Sequence, residues 1–383
     1  MGKIRVLYIC TDFNVLAGSS LSLLNLINGV KDYVTPVVLF AWKGKVSDEY
    51  EKRGIECIFC PFFYLSTKRK RIGDLLTNPK QVRLYSYLAA DYHCVKYVCE
   101  YLKDNPVDMV HSNASISTIG YYIAKKLEVP HVWHIREFLD LDFGINAYGG
   151  RRRLRRLINK ANSRICVSES VCKHWNFIND CTYIVPDAVR SESDLKYIKR
   201  KENYFLFCSA AITELKGASV AVEAFCKSGV ANRGYVLRLI GGCDDSYKSV
   251  LLQLAKNYNA EDSIIFEGYC NDVSTQFEKA TAFLMCSQNE AMGRVTIEAM
   301  FYGCLVIGNN SGGTSEIIQH NKTGFLYNTM NECADLISRI IDIDYGNIIE
   351  NSQEMVREKY TEEVYGISIK NIYKELIDAR RRC

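Results

Sequence analysis

Proline is scarce, with six in 383 residues, so a collagen-like or proline-rich disordered chain is excluded. No apolar run approaches the roughly 18 residues that a helix needs to span a bilayer, and any membrane contact is expected to be peripheral. No secretory leader is expected, since a strand-like run, Lys3 to Cys10, stands at the start of the sequence. The sixteen cysteines therefore read as reduced, mostly buried thiols of a cytosolic protein, not as a disulfide framework. One C-x-x-C, Cys57 and Cys60, lacks a second pair and lies in a strand-like segment where residues three apart face opposite ways, which argues against a metal site. Neither half has a G-x-G-x-x-G after its first strand, which weakens a dinucleotide-dehydrogenase reading.

What is present is a chain 48% hydrophobic and 24% charged, long enough for two cores. Its net charge of +4 is unevenly spread: residues 1–190 hold 27 basic and 18 acidic side chains, the remainder 21 and 26. A basic first half suggests an anionic partner, with plain solvation of helices as the other reading. Short apolar strands alternate with amphipathic stretches, the α/β pattern of parallel sheets wrapped by helices. Strands are expected at 3–10, 34–40, 55–60, 107–111, 130–135, 163–168 and 181–185, then at 204–208, 235–240, 263–266, 282–286 and 304–307. The polar stretch Pro186 to Lys201 separates the two series. This divides the chain into residues 1–190, residues 191–360 and a C-terminal helix, 361–383, ending in Arg380-Arg-Arg382.

In open parallel sheets ligands bind beyond the carboxyl ends of strands. One segment there is rich in chemistry: Ser287-Gln-Asn-Glu290-Ala-Met-Gly293-Arg-Val-Thr-Ile-Glu298. A strand ends before it, a polar loop carries Glu290, and a helix is expected to begin near Gly293, offering unpaired backbone N–H groups to a phosphate. Glu298 falls one to two turns into that helix, and carboxylates accept hydrogen bonds from sugar or ribose hydroxyls. Taken singly, each glutamate is more readily a solvated surface residue.

Glu290 and Glu298 form an E-x7-E pattern, and other motifs stand in order around it: Gly18, His111-Ser-Asn113, Trp133-His-Ile-Arg-Glu-Phe138, Val185-Pro-Asp-Ala-Val189, Lys216-Gly217, Phe266-Glu-Gly268-Tyr and Gly312-Gly-Thr-Ser-Glu316. With these the chain resembles the family-4 retaining glycosyltransferases of the GT-B fold, of the bacterial polysaccharide-assembly type. The resemblance implies two Rossmann-like domains facing across a cleft, an N-terminal acceptor domain and a C-terminal nucleotide-sugar domain, with the last helix packing back on the first. It implies that Lys216 binds the donor diphosphate, Glu298 the ribose and Glu290 the donor sugar, while the backbone around Met292, Gly293, Arg294 and Val295 lines sugar and phosphate. His134 would project toward the donor sugar, and Gly18 would let backbone approach the pyrophosphate. His134, Glu290 and Lys216 are thus the catalytic candidates. Gly312 and Gly313 read either as a loop of the donor cleft or as a packing turn.

The family usually has an arginine five residues before its Lys-Gly pair, and this chain has Ala211 there. Either Arg294 or Arg136 is expected to supply a diphosphate contact in its place, or Lys216 and the helix amides suffice alone. The resemblance implies transfer with retention, the departing phosphate receiving the acceptor proton. An inverting enzyme would instead need a base, for which Glu137, Asp140 and Asp142 are candidates. Asp140-Leu-Asp142 also imitates a D-x-D metal motif, but no cofactor and no essential metal are expected, since amides and lysine offset the diphosphate charge. The expected partners are a nucleotide-sugar donor, UDP favoured over GDP, and a saccharide or lipid-linked acceptor. The clusters Lys68-Arg-Lys-Arg71 and Arg151, Arg152, Arg153, Arg155 and Arg156 would rest on anionic lipid at the inner face of the membrane. No nucleic-acid module accompanies that charge. A catalytically impaired donor-binding or scaffold subunit, and another sugar-nucleotide enzyme such as an epimerase or synthase, are the alternatives.

Overall fold

The computed structural model describes residues 2–14, 18–64, 66–68, 80–147, 149–177, 180–196, 201–270 and 272–382. It divides into two compact units, Met1–Ala188 with Glu362–Cys383, and Val189–Thr361. Each is a Rossmann-like α/β domain built on a parallel sheet.

The first unit contains β1 (Ile4–Cys10), β2 (Val34–Phe40), β3 (Glu56–Phe59), β4 (Ser66–Lys68), β5 (Met109–Ser112), β6 (His131–Ile135), β7 (Ile145–Ala147), β8 (Ser163–Cys166) and β9 (Thr182–Ile184). Seven of these form one sheet in the order β3-β2-β1-β5-β6-β8-β9, and β4 pairs antiparallel with β7 outside it. Helices cover both sheet faces, so the strands read as nearly continuous apolar runs. Ile4, Val6, Tyr8 and Cys10 face one core with Met109, Val132 and Ile165, while Leu7, Ile9, Val37 and Val110 face the other. Cys57 packs against the first core and Cys60 in the second, the opposite-face placement that their spacing implied. The long helix Glu362–Arg382 lies over the first core with Tyr365, Ile369, Ile372, Tyr373 and Ile377. Glu362 and Glu363 in its first turn and Arg380 to Arg382 in its last offset its dipole.

The second unit contains β10 (Tyr204–Ile212), β11 (Val236–Cys243), β12 (Ile264–Gly268), β13 (Ala282–Met285), β14 (Leu305–Asn309) and β15 (Phe325–Tyr327), in the sheet order β12-β11-β10-β13-β14-β15. Three strands escaped the sequence reading: β4, β7 and β15 are each three residues long, too short to show a period. β10 also runs past Cys208 to Ile212, through a register shift between Cys208 and Ala211.

In each sheet the strand order reverses once, between β1 and β5 and between β10 and β13. Connections leave those two strands in opposite directions, opening a crevice at their carboxyl ends. Among the described residues no helix is long and apolar enough to cross a membrane.

Candidate active site

In the second unit the crevice gathers most of the predicted residues. After β10 the chain makes a short turn, Glu214–Lys216, and enters the helix Ala218–Ser228; after β13 a loop leads to the helix Arg294–Phe301. Because β10 and β13 flank the switch point, these two loops meet, and Lys216 Nζ donates to Glu290 Oε2 at 3.0 Å. Both side chains are half-buried, beside a small recess lined by Phe207, Ser209, Met285 and Val295. Gly217 makes the approach possible: its φ is +75°, and a Cβ there would lie 2.1 Å from the Cys286 carbonyl oxygen.

The Glu290 loop is braced from behind. Gly313 N donates to the Glu290 carbonyl at 2.7 Å, and a Cβ on Gly313 would fall 2.4 Å from the Met292 carbonyl. Gly312 and Gly313 both pack closely against the backbone of this loop. The helix begins at Arg294 with Gly293 as its N-cap, where the sequence placed its start, and Met292 and Gly293 are buried. Arg294 Nε donates to Glu298 Oε1 at 2.9 Å, and its Nη2 to the Val189 carbonyl at 3.2 Å. Arg294 therefore braces Glu298 one turn away, while Ala211 stands exposed on β10.

His134 and Arg136 belong to the first unit, as does Gly18, the exposed first residue of the helix Gly18–Gly29 after β1. Tyr8 pairs with His111 across β1 and β5, and His134 lies two residues past Val132, the β6 partner of His111, so alternation puts all three on the face covered by the C-terminal helix. There they form a buried polar cluster. His111 Nδ1 is 2.6 Å from the Tyr373 hydroxyl, which is 3.2 Å from that of Tyr8. His134 Nδ1 is 3.3 Å from both His111 Nε2 and Arg136 Nη2. Arg136 pairs with Asp187 and donates to Asn113 Oδ1 at 2.9 Å and to the Tyr365 hydroxyl at 3.3 Å; Tyr365 in turn donates to Asp187 at 3.0 Å. Its guanidinium is thus held by protein acceptors. Burial, followed by the charge of Arg136, pushes the pKa of His111 and of His134 well below the usual value.

The remaining acids are occupied. Glu137 is buried and accepts from Ser115 N, Ser115 Oγ and Arg136 N at 2.7, 2.6 and 3.0 Å, and burial raises its pKa. Asp142 accepts from Phe138 N at 2.9 Å, whereas Asp140 lies 2.8 Å from His174, so the D-x-D pair turns to different partners. Asp244 caps the helix Asp245–Lys256. Arg151 contacts His174 at 2.8 Å, while Arg152, Arg153 and Arg156 are exposed. The cluster at 68–71 lies outside the described residues but for the backbone of Lys68. Asp187 falls within the Val185–Val189 motif, whereas nothing in the sequence pointed to Tyr365 or Tyr373, since a tyrosine hydroxyl leaves no trace in periodicity.

Residues 189–360 match the family described as glycosyl transferases group 1, over the whole of this unit but its last residue. The second unit thus resembles a glycosyl transferases group 1 domain. The chain as a whole resembles the GT-B glycosyltransferases. Over 225 residues, 58% of each chain, it is 28% identical to the N-acetyl-alpha-D-glucosaminyl L-malate synthase of Bacillus anthracis. Over 168 residues, 41% of this chain and 43% of the relative, it is 28% identical to a GDP-mannose-dependent phosphatidylinositol monomannoside mannosyltransferase of Mycobacterium tuberculosis. The chain thus spans about half the length of these curated relatives. Anabaena HepE, solved in complex with UDP and glucose, superposes with a TM-score of 0.77 at 17% identity, over 97% of this chain and all of the other. That likeness extends the fold, beyond the matched residues, to the first unit.

Proposed function

We propose that the chain is a retaining glycosyltransferase that moves a hexosyl unit from a nucleotide-diphosphate sugar to a saccharide or lipid-linked saccharide. The observation that carries this reading is the Lys216–Glu290 pair, 3.0 Å apart at the switch point of the unit that matches the group 1 family. Transfer leaves negative charge on the departing diphosphate, and a compact ammonium with the first amides of the helix Arg294–Phe301 is suited to receive it. On donor binding Lys216 exchanges its carboxylate partner for phosphate, leaving Glu290 to accept from sugar hydroxyls. Glu298, oriented by Arg294, accepts from the ribose. Retention is favoured because Glu137 and Asp142 already accept backbone or hydroxyl donors and are poorly placed as a base for an inverting attack.

A UDP-sugar is the preferred donor, in line with the UDP bound by the HepE structure, and GDP-mannose is the second choice, in line with the mycobacterial relative. For the acceptor side, the exposed arginines at 152, 153 and 156 lie on the helix Arg151–Ile158, close in sequence to the exposed apolar side chains of Leu141 and Phe143. Cations beside apolar groups suit an anionic lipid surface on the cytoplasmic side.

A thermal-shift panel of UDP, GDP and ADP sugars, followed by NMR of the product's anomeric configuration, tests the proposal. Stabilisation by one donor and a retained anomer are expected; an inverted product would refute retention, and isomerisation of the donor without acceptor would favour an epimerase. Activity is expected to survive EDTA. Liposome flotation should recover the protein with anionic but not with neutral vesicles, and equal recovery would remove the membrane role.

A further inference from the structure

Four aromatic side chains of the first unit stand in a row beyond the carboxyl ends of β1, β2 and β3. Phe13 lies on the loop that leaves β1, Trp42 and Phe63 follow the ends of β2 and β3, and Tyr87 belongs to the helix Lys80–Tyr101. Neighbouring ring centroids are 5.6, 5.6 and 4.2 Å apart: Trp42 is tilted against Phe13 and set edge-on to Phe63, and Phe63 stacks on Tyr87. The sheet order places β1, β2 and β3 side by side, so the row begins at β1, which borders the switch point, and runs outward from it.

These rings are not part of the core. Phe13, Phe63 and Tyr87 are half-buried and Trp42 is 39% exposed, whereas Trp133 and Trp175 are 0% and 1% exposed. The backbone beneath the rings is nevertheless tied down. The Phe13 carbonyl accepts from Val46 N at 3.0 Å, and a Cβ on Gly44 would lie 2.3 Å from it. Phe63 N donates to the buried Asp91 at 3.0 Å, and the Tyr64 hydroxyl donates to the Thr11 carbonyl. An apolar surface held in place yet left open to water is what a binding partner covers, since ordering it costs nothing more at the moment of binding.

The chemistry around the row decides what covers it. Aromatic faces carry negative charge and attract the C–H groups of a pyranose, whose hydroxyls then need hydrogen-bond partners at the rim. Asp12 and Asn14 flank Phe13 and supply them: Asp12 accepts from Ser19 Oγ and as a carboxylate has room for further donors, and Asn14 is exposed with its amide oxygen beside Gly44. An alkyl tail would strip water from these groups and return no hydrogen bond. A second copy of the chain would need roughly 800 Å² on each partner, far more than the exposed parts of four rings offer.

We propose that this row is a saccharide subsite, with Trp42 as the ring on which a pyranose of the acceptor stacks and Asp12 and Asn14 as partners of its hydroxyls. That the bound saccharide is the acceptor rests on the glycosyl-transfer reading; that the row binds saccharide does not.

Tryptophan fluorescence of the full chain isolates this site, because Trp42 is the one exposed tryptophan of three. Acrylamide should quench Trp42 selectively, and short soluble oligosaccharides ending in hexose, N-acetylhexosamine, deoxyhexose or uronic acid are the probes. At least one is expected to protect Trp42, and protection by none overturns the proposal. Protection by undecaprenyl phosphate micelles alone would assign the row to a lipid tail, and protection that grows with protein concentration alone would assign it to a second copy; either overturns it. By titration calorimetry Trp42→Ala should weaken the protecting oligosaccharide roughly tenfold or more, while Trp42→Tyr stays within about threefold of the parent. A lowered melting temperature with unchanged affinity would reduce Trp42 to packing and overturn its role. In transfer assays Trp42→Ala should raise the acceptor KM and leave the donor KM unchanged. Transfer to an oligosaccharide that neither protects Trp42 nor responds to Trp42→Ala refutes the subsite and spares the transfer reading. A protecting oligosaccharide, with no transfer from any nucleotide sugar to any acceptor, refutes that reading and leaves the saccharide site.

Discussion

The two units share one architecture and treat their polar groups in opposite ways. At the switch point of the second, charged side chains sit partly exposed in pairs, Lys216 with Glu290 and Arg294 with Glu298. In the first, Tyr8, His111, His134, Arg136, Asp187, Tyr365 and Tyr373 are almost wholly withdrawn from water and bonded to one another. The contrast teaches that one fold can present either half-exposed charge or buried, directed hydrogen bonds, depending on whether a helix covers the groups concerned. The C-terminal helix lies over one sheet face of the first unit.

That contrast breaks most readily at the Lys216–Glu290 pair. Lys216→Ala is expected to lower kcat by roughly a hundredfold or more, as removal of a group that stabilises a leaving anion does. Steady-state kinetics with the stabilising donor check this, and a change in KM alone would make the pair mere binding. Next is the backbone that brings the pair together. Gly217→Ala forces a Cβ onto the Cys286 carbonyl at positive φ and should cost about 2–3 kcal/mol of stability by chemical denaturation. An unchanged midpoint would mean that the loop relaxes without strain.

The buried histidines of the first unit should instead show themselves through pH, His131 beside Ser112 as well as those of the network. Burial lowers the pKa of His131 from 6.5 to about 3, so the unfolded chain binds the extra proton between those values and stability falls as the pH drops below 6.5. His131 alone should account for about 1.4 kcal/mol between pH 7.5 and 5.5, with His111 and His134 acting in the same direction. Asp91, raised by burial to about 6, opposes this in the lower part of the window, because the folded state binds its proton more tightly. Denaturation midpoints of His131→Gln across that range should flatten the slope; a slope equal to the parent's would exclude His131 as its source. The smallest effect is expected at Arg294→Ala, which frees Glu298 to reorient and should raise the donor KM roughly three- to tenfold with kcat nearly unchanged. An unchanged KM would show that Glu298 needs no brace.

Much of the second unit's site was legible because its parts lie close in sequence. Glu290, Gly293 and Glu298 fall on one loop and the helix that follows, where spacing alone dictates geometry. The partner of Arg136 was not legible. Its positive charge, seen alone beside Ala211, suggested a phosphate contact, yet Asp187 and Tyr365, 51 and 229 positions away, hold it. Likewise the sequence was silent about the hydroxyl of Tyr373, which the last helix carries on a buried face.

By itself the sequence determined the alternation of strands and helices, the two series of strands and the acidic loop leading into a helix start, since these follow from local periodicity and backbone preference. Only the tertiary structure decided which donors meet which acceptors. A hydrogen bond depends on tenths of an ångström between groups brought together by the whole fold, and neither a residue's type nor its place along the chain carries that distance.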